Sequence, residues 1–154
     1  EETGFSIESG NDWVRVYTTG ELNGALVQTM PHPGFPTDLQ APMMALMTTL
    51  PGISVMVETI FENRFTHVPE LRRMGAKVTI EGRSAIIQGV KELSGAPVMM
   101  SDLRAGAALI VAGLAAKGST EIRRIYHSDR GYEKLCRKLS GIGADIEREK
   151  GGSL

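Results

Sequence analysis

Apolar positions recur along the chain in two alternating periods, and the order of those periods repeats. Thr37-Asp38-Leu39-Gln40-Ala41 opens an apolar run with helical spacing, and Ser101-Asp102-Leu103-Arg104-Ala105 opens another. In both, the Thr or Ser suits an N-cap and the Asp suits the first helical turn, where the helix dipole favours a carboxylate. The spacing predicts helices running to Leu50 and to Ala116. A glycine turn follows each, Pro51-Gly52 and Lys117-Gly118, and then a β-rich segment, Ile53 to Ile60 and Thr120 to Tyr126.

The correspondence continues beyond the strands. Glu62-Asn63-Arg64-Phe65 matches Ser128-Asp129-Arg130-Gly131, and each precedes a second amphipathic helix, with apolar positions at Val68, Leu71, Met74 or at Leu135, Leu139, Ile142. Gly75-Ala76 leads into the period-two run Lys77-Val78-Thr79-Ile80-Glu81, and Gly143-Ala144 into Asp145-Ile146-Glu147-Arg148-Glu149. Ser84-Ala85-Ile86-Ile87 and Leu93-Ser94-Gly95-Ala96-Pro97-Val98 end the first copy, and the chain opens on similar text: Phe5-Ser6-Ile7-Glu8, Val14-Arg15-Val16 and Leu22-Asn23-Gly24-Ala25-Leu26-Val27. Chance rarely aligns Asp, Arg, Gly-Ala and the following strand in one order. The expected organisation is the end of one module in residues 1–36, a complete module in 37–100 and most of another in 101–154. Read cyclically, each is a βαβαββ unit, giving an α/β (α+β) fold in which helices pack on one another beneath sheets. Glu1-Glu2-Thr3-Gly4 has no initiator methionine and runs directly into strand-like sequence, as expected of a chain that starts inside a fold.

Composition narrows the function classes. With 154 residues, 42% of them hydrophobic and 23% charged, the chain can bury one ordinary core. Its 17 basic and 18 acidic residues leave no electrostatic footprint for nucleic acid or an anionic membrane, so anions would be held by local arginines. The most apolar stretch, Ala105 to Ala116, is too short for a bilayer and reads as a buried helix. A single cysteine, Cys136, fits a reducing cytoplasm and excludes an intramolecular disulfide. Cys136 lies at a helical position flanked by basic residues and reads as structural. His32, His67 and His127 form no metal-ligand pattern, so no metal is expected.

Candidate chemistry gathers at loop ends. Asp38 sits in Pro33-Gly34-Phe35-Pro36-Thr37-Asp38, where two prolines fix the entry to a helix and present the carboxylate at its mouth. Such a carboxylate can orient a hydroxyl or accept its proton; the alternative is a plain helix-terminal Asp. Arg64, Arg104 and Arg130 fall at equivalent or adjoining repeat positions, and their planar forks suit phosphate and carboxylate. Two or three of them in one cleft would bind a small dianion; singly, each would pair with a neighbouring acid, such as Asp129 or Glu133 for Arg130.

Several of these stretches, Pro33 to Ala41, Glu58-Thr59-Ile60-Phe61-Glu62-Asn63-Arg64-Phe65 with His67-Val68-Pro69-Glu70-Leu71, Leu93-Ser94-Gly95-Ala96, Ser101 to Ala105 and Arg124 to Glu133, together resemble the UDP-N-acetylglucosamine 1-carboxyvinyltransferases of bacterial cell-wall synthesis. The resemblance covers essentially the whole chain and implies the C-terminal part of an inside-out α/β barrel of the enolpyruvyl transferase type. It implies transfer of the enolpyruvyl group of phosphoenolpyruvate to the 3-hydroxyl of UDP-N-acetylglucosamine, with phosphate released through a tetrahedral intermediate. No organic cofactor or metal is implied. By resemblance, Asp38 is the carboxylate at the sugar hydroxyl and Ile60 a backbone contact to the nucleotide sugar. Arg130 is a phosphoenolpyruvate ligand, Asp102 and Arg104 stand around the reacting centre, and Arg64 is a supporting cleft arginine. The family's reactive-cysteine loop, its early Lys-Asn pair and further phosphate-binding arginines have no match here, and Cys136 does not take the cysteine's role. The chain alone is therefore expected to be inactive and to need the N-terminal part of the enzyme as partner. The shikimate-pathway enolpyruvyl transferases and a non-catalytic, repeat-built binding module are the competing readings.

Overall fold

A computed structural model describes residues 3–149. Residues 1, 2 and 150–154, the outer ends of the expected first and last modules, lie outside the described residues. Strands β1 (Phe5–Ser9) and β2 (Val14–Thr18) form an antiparallel hairpin in the register Ile7 to Val16. A four-stranded sheet follows in the order β3 (Leu26–Gln28), β4 (Ile53–Val57), β6 (Ser84–Gln88), β5 (Lys77–Glu81). β3 runs parallel to β4, whereas β6 is antiparallel to both its neighbours. A short parallel pair, β7 (Val98–Met99) and β8 (Ile122–Arg123), closes the set.

Among the described residues five α-helices join these strands: α1 (Gln40–Met47), α2 (Val68–Arg73), α3 (Leu103–Ala115), α4 (Tyr126–Asp129) and α5 (Leu135–Gly141). α1 and α3, the two helices with matching openings, pack against each other. Their buried faces combine small and long side chains, Ala41, Met44, Ala45 and Met47 against the mostly small Ala105, Ala108, Leu109 and Ala112. Around them Leu50, Met56, Leu71, Met74, Ile87 and Leu93 complete one core. Unbranched methionines fill irregular gaps between helices and sheet at low rotamer strain.

The matching strand ends share their backbone contacts. The Gly24 amide donates to Pro51 O at 2.8 Å, and the Gly95 amide donates to Lys117 O at 2.7 Å. A β-carbon on Gly24 would lie 2.1 Å from Ile53 O, and one on Gly95 would lie 2.3 Å from Ser119 O. Both glycines are required by close approach of two backbones, just before the parallel pairs β3–β4 and β7–β8 begin.

Several expectations are corrected. The helix expected from Thr37 begins as a 3-10 turn, Thr37–Leu39, capped by Pro36 without a side-chain bond, and the regular helix ends at Met47. Thr37 is thus no N-cap. Leu50 still closes the turn, its amide donating to Met47 O. On the second helix the N-cap is Asp102, not Ser101: Asp102 Oδ1 accepts from the amides of Arg104 (2.9 Å) and Ala105 (3.1 Å). The expected strand Asp145 to Glu149 does not form. Its counterpart β5 is held by β6, and no segment among the described residues takes β6's place. Instead Arg148 forks onto both carboxylate oxygens of Asp129 at 2.8 Å each. Ile142, expected on the apolar side of α5, is 83% exposed, while Leu135 and Leu139 are half-buried.

Candidate functional site

The sequence that follows β4 turns sharply back towards α1 and α3. Asn63 adopts a left-handed backbone (φ 52°), a conformation that Asn tolerates better than most residues. This turn brings Arg64 across to the 3-10 turn at Thr37. There Arg64 Nη1 donates to Thr37 Oγ1 at 3.2 Å and lies 3.7 Å from Asp38 Oδ1. From the start of α3, Arg104 Nε donates to the same oxygen, Asp38 Oδ1, at 2.5 Å. Two guanidinium groups from different elements therefore converge on one exposed carboxylate. Phe61 covers the Arg64 guanidinium from the other side, its ring centre 4.3 Å away, a cation–π contact that holds the fork in place.

A cleft of about 190 Å³ opens beside this cluster. Gln40, Phe61, Arg64, His67, Asp102 and Arg104 are among its lining residues. Asp102 is largely engaged as a cap, and its second oxygen accepts from Ser101 Oγ (2.9 Å) and Thr66 Oγ1 (3.3 Å). Burial pushes the Asp102 carboxyl up, but the bonds from Ala105, Ser101, Arg104 and Thr66 outweigh it and hold the group below its ordinary range. His67 is 1% exposed and its Nε2 has no hydrogen-bond partner. Burial lowers its pKa from 6.5 to about 4, against an upward pull from the nearby Asp102 charge, so at neutral pH the imidazole is uncharged.

Behind the cluster lies Glu58, 1% exposed. Its Oε1 accepts from Thr29 Oγ1 (2.9 Å) and from the amides of Ile60 (2.8 Å) and Phe61 (3.1 Å), and its Oε2 accepts from Thr37 Oγ1 (2.9 Å). Burial raises the Glu58 carboxyl, yet these bonds together bring it below its usual value, so it is ionised.

Of the sequence candidates, Asp38, Arg64 and Arg104 meet directly, and Asp102 lies beside them on the cleft wall. Ile60 stands in the turn next to Phe61, with its amide committed to Glu58. Arg130 lies apart from the cleft lining, just past α4, although its neighbour Gly131 packs against Leu103 at the start of α3. Among the described residues neither Asp129 nor Glu133 pairs with it: Asp129 is held by Arg148, and Glu133 by Lys134 and Lys138. Sequence reasoning missed Thr37 as a bridge, and it missed Glu58, Phe61 and His67 as site residues. The one available signal was a Glu-Thr pair immediately after an apolar strand, where a carboxylate reaches the backbone of the turn that follows. Among the described residues no group of three His, Cys, Asp or Glu side chains could hold a metal ion, and no helix is long and apolar enough to cross a membrane.

Comparison with known proteins identifies relatives in sequence and in fold. The sequence is 58% identical over 148 residues to the UDP-N-acetylglucosamine 1-carboxyvinyltransferase of Gluconobacter oxydans, covering 96% of this chain and 35% of that protein. It is 62% identical over 133 residues to UDP-N-acetylglucosamine 1-carboxyvinyltransferase 2 of Carboxydothermus hydrogenoformans, covering 86% of this chain and 32% of that one. The chain thus spans about a third of the length of these relatives. The enolpyruvyl transferase NikO from Streptomyces tendae superposes with a TM-score of 0.85 at 29% identity, over 95% of this chain and 34% of that one. EPSP synthase from Acinetobacter baumannii shares the fold, with a TM-score of 0.66 at 20% identity over 96% of this chain and 35% of that one. The profile of the EPSP synthase family matches residues 1–139. The chain accordingly has the mixed α/β fold of enolpyruvyl transferases, in part, and belongs to the EPSP synthase (3-phosphoshikimate 1-carboxyvinyltransferase) family.

Proposed function

We propose that this chain supplies one wall of an active site that transfers the enolpyruvyl group of phosphoenolpyruvate to the 3-hydroxyl of UDP-N-acetylglucosamine, releasing phosphate. The observation that carries this reading is the convergence of Arg64 and Arg104 on Asp38 beside a cleft. In the reaction the sugar oxygen adds to C2 of phosphoenolpyruvate while C3 gains a proton. The tetrahedral adduct then loses phosphate and a C3 proton to give the enol ether. Asp38 orients the hydroxyl and accepts its proton, a role that requires the substrate to draw the carboxylate away from Arg104. Freed in that exchange, Arg104 and Arg64 present donors to the anionic groups of the reactants and stabilise charge developing in the adduct. Ile60 contacts the nucleotide sugar through its carbonyl, since its amide is engaged by Glu58. Asp102 fixes the start of α3 and thereby Arg104, and Arg130 binds phosphoenolpyruvate once the remainder of the site is in place.

The same reading divides the chain into modules at 1–36, 37–100 and 101–154, supported by the equal backbone contacts of Gly24 and Gly95. It assigns the whole protein to the committed step of peptidoglycan synthesis in the cytoplasm, and so to cell shape and division. The family profile carries the name of the shikimate-pathway reaction, which makes shikimate 3-phosphate the competing acceptor.

The test measures phosphate release from phosphoenolpyruvate with either acceptor, using the chain alone and then assembled with the upstream portion that its relatives carry. The expected result is release only in the assembly, only with UDP-N-acetylglucosamine, and reduced at least about 100-fold by Asp38→Ala. Release with shikimate 3-phosphate instead would reassign the substrate. No release from a demonstrably assembled protein would leave a binding module.

A further inference from the structure

The elements that carry Asp38 and Arg64 meet on one buried carboxylate. Glu58 directly follows β4, with its own amide anchored to Arg83 O at 2.8 Å. Three of its contacts fasten the strand end and the turn that follows: Thr29 Oγ1 from β3's edge, and the amides of Ile60 and Phe61. The fourth leaves that turn and reaches Thr37, the residue before Asp38. Thr37 has one hydroxyl proton, which it donates to Glu58 Oε2, so the same oxygen is left to accept from Arg64 Nη1 at 3.2 Å. An unbroken line of contacts therefore runs from Glu58 through Thr37 to Arg64 and Asp38, and on to Arg104.

The direction of each bond along this line depends on Glu58 having acceptors only. An ionised carboxylate has no proton to offer, so Thr37 must donate to it and must accept from Arg64. An amide at this position would present an N–H either to Thr37 or to the Ile60 and Phe61 amides. In the first case Thr37 would accept from the amide as well as from Arg64, and its own hydroxyl proton would lose the acceptor that fixes its orientation; in the second, two backbone donors would lose their partner. A buried donor without an acceptor is costly in either place.

We propose that Glu58 is a positioning residue for the transferase site: its carboxylate sets the orientation of Thr37, and through it the placement of Asp38 and Arg64. This rests on the transferase reading given above. Glu58 is buried and is not among the residues that line the cleft. Its effect on the reaction is transmitted through Asp38.

The experiment places Glu58→Gln in the chain assembled with the upstream portion of its relatives, alone and in an Asp38→Asn background, and separates kcat from KM for UDP-N-acetylglucosamine. Glu58→Gln alone should lower kcat by about 10- to 100-fold, the size of one lost charge-assisted bond, with a smaller rise in KM. On top of Asp38→Asn it should cost less than about 3-fold, because the two residues act along one path. Thr37→Val breaks the same line without removing a buried charge, and should reproduce the non-additive loss if Glu58→Gln fails to fold. An equal loss in both backgrounds, or a kcat within about 2-fold of the parent, overturns the proposal. Should the parent assembly release no phosphate, the transferase reading fails, and positioning is then read from the Arg104 Nε–H resonance of the same assembly. Loss of its hydrogen-bonded shift and exchange protection in Glu58→Gln upholds the link to Asp38, and an unchanged resonance overturns it.

Discussion

His67 is enclosed between the cleft and the core with one ring nitrogen unpaired, and its titration reports that enclosure. In the unfolded chain the imidazole takes up a proton below its ordinary value of 6.5, whereas in the fold it stays neutral until about pH 4. Between those values the unfolded state binds more protons, so stability falls as pH falls, by about 2 kcal/mol from pH 7 to pH 5. Urea unfolding at the two pH values should show this loss, and His67→Met should largely abolish it. Glu58 and Asp102 act in a lower window: their depressed carboxyls stabilise the fold above their ordinary range and lose that contribution as pH falls through their folded values. Individual side chains also mark the limit of what the sequence discloses. Asp38, Arg64 and Arg104 could be singled out because their types suit anions and hydroxyls and their positions recur at strand ends and helix starts. Glu58 could not, because burial of a carboxylate is decided by Thr29 and Thr37, which lie 29 and 21 residues upstream.

At the scale of elements, local pattern carried most of the information. Period-two runs such as Lys77 to Glu81 and Ser84 to Ile87 became β5 and β6, and the apolar face of Val68, Leu71 and Met74 is fully buried. Patterns misled where several residues could satisfy the same end. Ser101 and Asp102 are both competent N-caps, and the choice fell to Asp102 once Ser101 Oγ turned to donate to it. Asp102→Ala should therefore cost about 1 kcal/mol in thermal unfolding while Asp102→Asn, which keeps a cap acceptor, costs a few tenths. The strand expected at Asp145 to Glu149 failed for a different reason: alternation gives a strand two faces but no neighbour to bond with. Where neighbours exist, they press closely. Gly24→Ala and Gly95→Ala should each destabilise by about 1–3 kcal/mol because the new methyl meets a backbone carbonyl. Gly20→Ala, with nothing within 4 Å, should stay within about 0.5 kcal/mol in the same denaturation series.

Across the whole molecule, the candidate site is a product of packing between segments far apart in the chain. The Asp38–Arg104 contact joins positions 66 residues apart, carried by the openings of two helices that share one core. A ligand held between those openings finds its site only in chains whose helices are docked. Each tenfold rise in its concentration above the dissociation constant then adds about 1.4 kcal/mol to the docked form. Filling of the cleft and closure of α1 upon α3 are accordingly a single equilibrium observed from two ends: a calorimeter following the heat of unfolding would register the occupant as surely as an assay of the chemistry.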